Sequence, residues 1–143
     1  MAWFGLAVIV VLCLAIIVWW RVRRRKRAMR VLTMHNQREC DDAVAAAMQS
    51  LAWTDAAKLK SLPVADVWGH GIMAFEYVLP AAPITKDAFA AALKQQTPQV
   101  KAAALPPTLV ITDWWTRDDQ VHVDIAYVVN AATREYVDDL RRV

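Results

Sequence analysis

The sequence predicts an α+β protein in which a single-pass transmembrane helix continues into a cytoplasmic helix and precedes a small antiparallel sheet with helices on one face. Three observations predict this fold class: a long apolar stretch opens the chain, a dense basic block follows it directly, and β-rich and helical segments alternate after Pro63. The predicted domains are an anchor at 1–20, a polybasic juxtamembrane segment at 21–30, a helical connector at 31–62 and an α+β cytoplasmic domain at 63–143.

The predicted anchor is Ala2–Trp20, which contains 19 residues without a charged side chain. As a helix it would span about 28 Å, close to the thickness of a bilayer's hydrocarbon core. A signal peptide would begin with positive residues and end in small ones, whereas bulky Trp19 and Trp20 end this run. A buried core helix is the alternative, but such helices are usually shorter. We therefore predict an uncleaved anchor, with Trp3 at one membrane interface and Trp19 and Trp20 at the other.

The basic block sets the predicted orientation. Seven cationic side chains follow the apolar run: Arg21, Arg23, Arg24, Arg25, Lys26, Arg27 and Arg30. Lys and Arg are retained on the cytoplasmic side of a span, so the N-terminus is expected outside and the C-terminal domain in the cytoplasm, in an inner cell membrane. Fixing this topology is the first interpretation of the block, and contact with anionic lipid headgroups is the second.

The rest of the chain is acidic. Residues 31–143 carry ten basic and 14 acidic residues, a net charge of −4. Proteins that bind nucleic acid obtain much of their affinity from a basic surface, so no nucleic-acid partner is expected. The predicted partners are the lipid bilayer and other membrane protein subunits, with anionic lipids as an additional candidate.

The connector is predicted to be helical because neither glycine nor proline occurs between Gly5 and Pro63. The segment "DDAVAAAMQSL" places apolar side chains on one helical face, namely Val44, Ala47, Met48 and Leu51. The segment "WTDAAKLKSLP" predicts a second, short helix that begins at an N-cap, Thr54, and ends before Pro63.

The predicted sheet begins with "VWGHGIMAFEYVL", which is rich in β-forming residues. Thr85 is predicted to cap a helix in "TKDAFAAALKQQ", and "LVITDWW" and "VHVDIAYVV" are predicted to form a hairpin around "TRDDQ". Asn130 is predicted to cap a terminal helix. The order strand, helix, strand, strand, helix resembles an incomplete ferredoxin-like unit, an analogy that does not specify an activity.

Histidines are the main candidates for chemistry. His70, in "GHG", is open to close approach, and Asp66 or Glu76 is placed to orient it. The favoured alternative is that the two glycines serve strand geometry. His122 and Asp124 share the outward face of a predicted strand, a spacing that fits an exposed polar surface as well as a general base.

No cofactor or metal is predicted. With three glycines in the chain, Gly5, Gly69 and Gly71, the usual phosphate-binding loops are excluded. Cys13 and Cys40 lack metal-type spacing, and the histidines are scattered. We therefore predict no catalytic residues and no enzymatic activity.

Trp114 and Trp115 are the predicted partner-binding residues. Consecutive strand residues point to opposite faces, so both indoles cannot enter the same core. Exposed tryptophan is enriched at binding hot spots, and packing under a neighbouring helix is the alternative. Trp53 and Trp68 are expected in the core.

The predicted function is that of a membrane-anchored accessory or adaptor subunit of a larger membrane protein assembly, acting through protein–protein contacts. The uninterrupted helix and the lack of catalytic motifs favour this class. The alternative is a membrane-tethered peripheral regulator or enzyme that uses the span only as an anchor.

Overall fold

A computed structural model of the chain describes residues 2–53, 59–64, 71–96 and 107–142, apart from the side chains of 2 and 4–10. The chain divides into two units, Met1–Met34 and His35–Val143. The elements are α1 (Ala2–Ser50), β1 (Ser61–Pro63), β2 (Ala74–Pro80), α2 (Lys86–Gln95), β3 (Thr108–Arg117), β4 (Gln120–Val128) and α3 (Ala131–Leu140).

The first unit, which consists of the N-terminal part of α1, corrects the transmembrane prediction. The described side chains form an uncharged run from Val11 to Trp20, and charged residues begin at Arg21. This run is about 15 Å of helix, which is about half the thickness of a bilayer's hydrocarbon core. Within the part of the chain that the structure describes, no helix is both long and apolar enough to cross a membrane. The predicted anchor is therefore wrong on this finding. The side chains of 2 and 4–10, which belong to the predicted anchor, lie outside the described ones.

The predicted orientation, with the N-terminus outside and a cytoplasmic C-terminal domain in an inner membrane, fails with the anchor from which it was derived. The predicted contact of the basic block with lipid headgroups is not tested by this finding and stays a prediction. In the structure the guanidinium carbon of Arg23 lies 4.4 Å from the ring centroid of Trp19, and that of Arg24 lies 5.4 Å from that of Trp20. The two tryptophans thus make cation–π contacts within their own helix.

The second unit contains a four-stranded antiparallel sheet in the order β1-β2-β4-β3. Because β2 and β3 both pair antiparallel with β4, they run parallel to each other on its two sides, and α2 connects them along the chain. β1 pairs with β2 where the sequence predicted the end of a short helix. Thr54, the predicted N-cap of that helix, lies outside the described residues.

One face of the sheet, called the covered face below, carries the main core. Its buried side chains are Phe75, Tyr77, Leu79, Val121, Val123, Ile125 and Tyr127. The end of α1 packs on this face, since the Tyr77 hydroxyl donates to Asp41 Oδ1 at 2.8 Å and the Tyr127 hydroxyl donates to Glu39 Oε2 at 2.9 Å. Helix α2 covers it as well, through Phe89.

Helix α3 packs on the opposite face, which corrects the prediction that all helices lie on one face. The paired Ala74 and Ala126 give β2 and β4 a flat surface there, and Val137 of α3 is buried against it. The start of α3 is fixed by Thr133, whose hydroxyl oxygen accepts the Met73 N–H at 2.9 Å. Alanines are small enough to admit a helix at the centre of the sheet, and the strand pattern alone did not show this.

The β3–β4 hairpin is present as predicted, and it contains a bulge that the sequence did not predict. Asp118 and Asp119 form the two-residue turn with φ of 49° and 57°, the left-handed values that a type I′ turn requires. Thr112 is the extra residue, since Ile111 pairs with Ile125 and Asp113 pairs with Asp124. The bulge reverses which side chains of β3 face the core beyond this point.

Candidate functional site

The candidate site is the part of the α3 side of the sheet that lies toward the β3–β4 turn, called the open face below. It comprises Leu62, Glu76, Val78, Asp113, Trp115, His122 and Asp124. Strand register arranges these residues in two neighbouring rows, one with Val78, His122 and Trp115, and the other with Leu62 and the three carboxylates. The pairing thus places an apolar and aromatic row directly beside an acidic row.

The centre of the open face is an aromatic stack. The rings of Trp115 and His122 lie 3.7 Å apart between centroids at an interplanar angle of 9°. His122 Nδ1 lies 3.1 Å from Glu76 Oε1, so an Nδ1–H donates to the carboxylate. The imidazole is 16% exposed, and the indole is 39% exposed. His122 is therefore held by Glu76 and in turn holds the half-exposed indole in one orientation.

The carboxylates of the open face lie close enough to affect one another. Burial raises the pKa of Asp124 to about 6, and the charges of Glu76 and Asp113 add to this effect, while His122 opposes it. Burial, followed by the charge of Asp124, also raises the pKa of Tyr136 on α3. Among ion pairs between described residues, His122 with Glu76 is the one that involves these carboxylates. The open face as defined therefore contains three carboxylates and no Lys or Arg, and Arg117, one row nearer to the turn on the same side, is paired with Asp118 at 3.2 Å.

The two predicted partner-binding tryptophans lie on opposite faces of the sheet. The Trp114 ring lies 6.3 Å from that of Trp53 and 5.9 Å from that of Phe89, so it belongs to the covered face. Trp53 is buried as expected, and its Nε1–H donates to the Pro80 carbonyl at 3.0 Å. Only one of the pair, Trp115, thus contributes to the open face.

The "GHG" prediction falls largely outside the described residues, since Asp66, Gly69 and His70 are not among them. Trp68, expected in the core, is outside them too. Glu76, predicted to orient His70, contacts His122 in the described part of the chain. The outward position of His122 follows from the strand pattern but its partner does not, because the alternation in each strand gives the face of a residue and not its cross-strand neighbour.

Two other groups of interest do not form a reactive site. Burial raises the pKa of the Cys40 thiol to about 12, so it remains protonated at neutral pH. In the described part of the chain, no set of three His, Cys, Asp or Glu side chains is arranged to hold a metal ion. Comparison with known proteins adds no candidate, since no family model, no curated protein and no solved structure matches the chain.

Proposed function

We propose that the chain is an adaptor or accessory subunit that acts through protein–protein contacts, and that its second unit binds a partner protein through the open face. The observation that carries the proposal is Trp115, an indole that is 39% exposed and yet stacked on His122. Binding hot spots are enriched in tryptophan, and a side chain fixed before binding loses little conformational entropy when a partner covers it.

The surroundings of Trp115 support this proposal. Leu62 and Val78, which are 62% and 42% exposed, add apolar surface to the same face. Three carboxylates lie beside this apolar surface, and protein interfaces combine apolar with polar side chains. The partner is expected on the face rather than on the β3 edge, because the Trp114 N–H at that edge is taken by Asp113 Oδ1 at 2.7 Å.

The His122 and Glu76 pair is the arrangement closest to acid–base catalysis, and we assign it a different role. The Trp115 ring covers one side of the imidazole at 3.7 Å, and Glu76 occupies its Nδ1. A substrate has little access to a ring that is 16% exposed and stacked in this way. The pair positions Trp115, and no observation favours the alternative of a peripheral enzyme or regulator.

The test is quantitative affinity isolation with tagged full-length wild type, Trp115→Ala, and Lys94→Ala as a control on the exposed side of α2. A partner is expected to be recovered with wild type and with the control, and lost with Trp115→Ala. Each partner that is lost is then purified and its Kd measured, with an expected cost of about 2 kcal/mol for Trp115→Ala. Recovery of the same proteins at the same level with all three chains would refute the proposal.

A further inference from the structure

We propose that the partner inserts an arginine side chain into the open face, and that this arginine is carried by a separate protein and flanked there by apolar residues. The inference rests on the proposed function, because it names the chemistry that the same surface recognises. Three features of the open face carry it: the position of Trp115, the carboxylates beside it, and the exposed apolar side chains next to them.

The first feature is the side of the Trp115 ring that faces away from His122. His122, on β4, stacks on one side of the indole at 3.7 Å. Because β3 is the outer strand of the sheet formed by the described residues, the other side of the ring is turned toward the edge of that sheet. A planar guanidinium stacks on such a surface and still keeps its N–H groups in the ring plane for hydrogen bonds.

The second feature is the charge beside the ring. Asp113 and Asp124 are paired across the strands one row away, and Glu76 lies on the other side of Asp124. Burial raises the pKa of Asp124, and the charges of Glu76 and Asp113 raise it further, so a cation placed here would meet a concentrated negative charge. Asp113 lies on the same strand as Trp115 and is the carboxylate that an arginine on the outer side of the ring is placed to reach, while Asp124 and Glu76 on the inner strands contribute their charge. Lysine offers no comparable planar group.

The third feature is the apolar surface, which indicates what flanks the arginine. Leu62, 62% exposed, and Val78, 42% exposed, lie beside these carboxylates and are suited to contact aliphatic side chains of a partner. The basic block of a second copy is the competing source of an arginine. Five of its seven cations have another cation as a direct neighbour and not apolar residues on both sides, and Arg23 and Arg24 lie over tryptophans of their own helix, so we assign the arginine to a separate protein.

The experiment uses the ¹⁵N-labelled full chain, with the Trp115 indole N–H signal identified by its loss in Trp115→Phe. The probe is the peptide acetyl-Leu-Arg-Leu-amide, and the control probe replaces arginine with citrulline, which has nearly the same shape without the charge. The arginine peptide is expected to shift the Trp115 signal to saturation and to bind about tenfold more tightly than the citrulline peptide.

Variants assign the effect to the carboxylates. The variant Asp113→Asn, which leaves the contact between Glu76 and His122 in place, is expected to weaken the arginine peptide about tenfold. Asp87→Asn, which neutralises an exposed carboxylate on α2, is expected to leave its affinity unchanged. Circular dichroism spectra of each variant establish that the fold is retained.

Two outcomes would overturn the inference. If arginine and citrulline peptides bind equally, or if neither shifts the Trp115 signal, arginine is not the recognised group. In that case the proposed function still stands wherever a partner depends on Trp115. If instead a peptide of residues 19–30 binds more tightly than the probe and the full chain self-associates in sedimentation velocity, the occupant is a second copy and not a separate protein.

Discussion

Asp124→Asn is expected to stabilise the protein at neutral pH. The pKa of Asp124 is about 6 in the folded chain, against an ordinary value of 3.8. A carboxyl whose folded pKa is raised binds its proton more tightly in the folded state, so stability falls as pH rises between these two values and is lowest above the folded pKa. Asparagine keeps the shape of the side chain and removes the charge that burial and the neighbouring carboxylates disfavour.

The size of the effect follows from the pKa shift and the exposure of the group. A fully buried carboxyl with this shift would lose about 3 kcal/mol, since one pKa unit corresponds to about 1.4 kcal/mol. Asp124 is only half-buried and its interactions are screened by solvent, so we expect Asp124→Asn to gain about 1 kcal/mol at pH 7.5. At pH 4.5 the folded carboxyl is mostly protonated but the unfolded one is mostly ionised, so the gain is expected to be about a third of its value at pH 7.5, and it falls toward zero only below the unfolded pKa.

Urea unfolding of the full chain at pH 4.5, 6 and 7.5 measures this difference, with circular dichroism as the signal. Asp87→Asn is the matched control. Asp87 lies in the first turn of α2, where a negative charge stabilises the helix, so its removal is expected to cost about 0.5 kcal/mol at pH 7.5. A gain for Asp124→Asn that is equal at all three pH values, or a loss at pH 7.5, would refute the electrostatic explanation.

Three further predictions concern the core. Trp114→Ala is expected to cost about 3 kcal/mol in urea unfolding, because it removes an indole packed under α2. Thr133→Val is expected to cost about 1 to 3 kcal/mol in the same assay, since it leaves the buried Met73 N–H without its acceptor. Thr133→Ser keeps the hydroxyl acceptor and is expected to cost much less. Exposed Cys13 is expected to react at once with a thiol reagent in the native full chain, and buried Cys40 only after addition of urea; two native thiols reacting at one rate would contradict the described burial.

The elements that sequence analysis predicted correctly have local signals. Thr85 and Asn130 accept hydrogen bonds from the backbone N–H groups of Ala88 and Thr133, three residues on, as expected of N-caps. The polar turn of the hairpin lies at Asp118 and Asp119, between two β-rich runs. Each of these features depends on a few neighbouring residues, so a single sequence is enough to identify it.

The features that sequence analysis missed are non-local. The pairing of β1 with β2, the packing of α3 opposite α2, and the contact between Glu76 and His122 all depend on strand register. The predicted span rested on the apolar composition of residues 2–20. In its described part the helix found there is not long and apolar enough to cross a membrane. Composition gives the tendency of a segment, whereas register and packing decide what its side chains contact.

The bulge at Thr112 links the sequence of β3 to the proposed function. In a regular strand Asp113 and Trp115 would share the covered face with Ile111. A carboxylate would then lie in an apolar core, at a cost of several kcal/mol. The extra residue instead puts Trp114 in the core and brings Asp113 and Trp115 together on the open face. Bulges often redirect side chains at functional sites. Here one extra residue places the exposed indole and a carboxylate beside Asp124, whose charge is disfavoured by burial and by its neighbours. A cationic group of a partner would offset this negative charge.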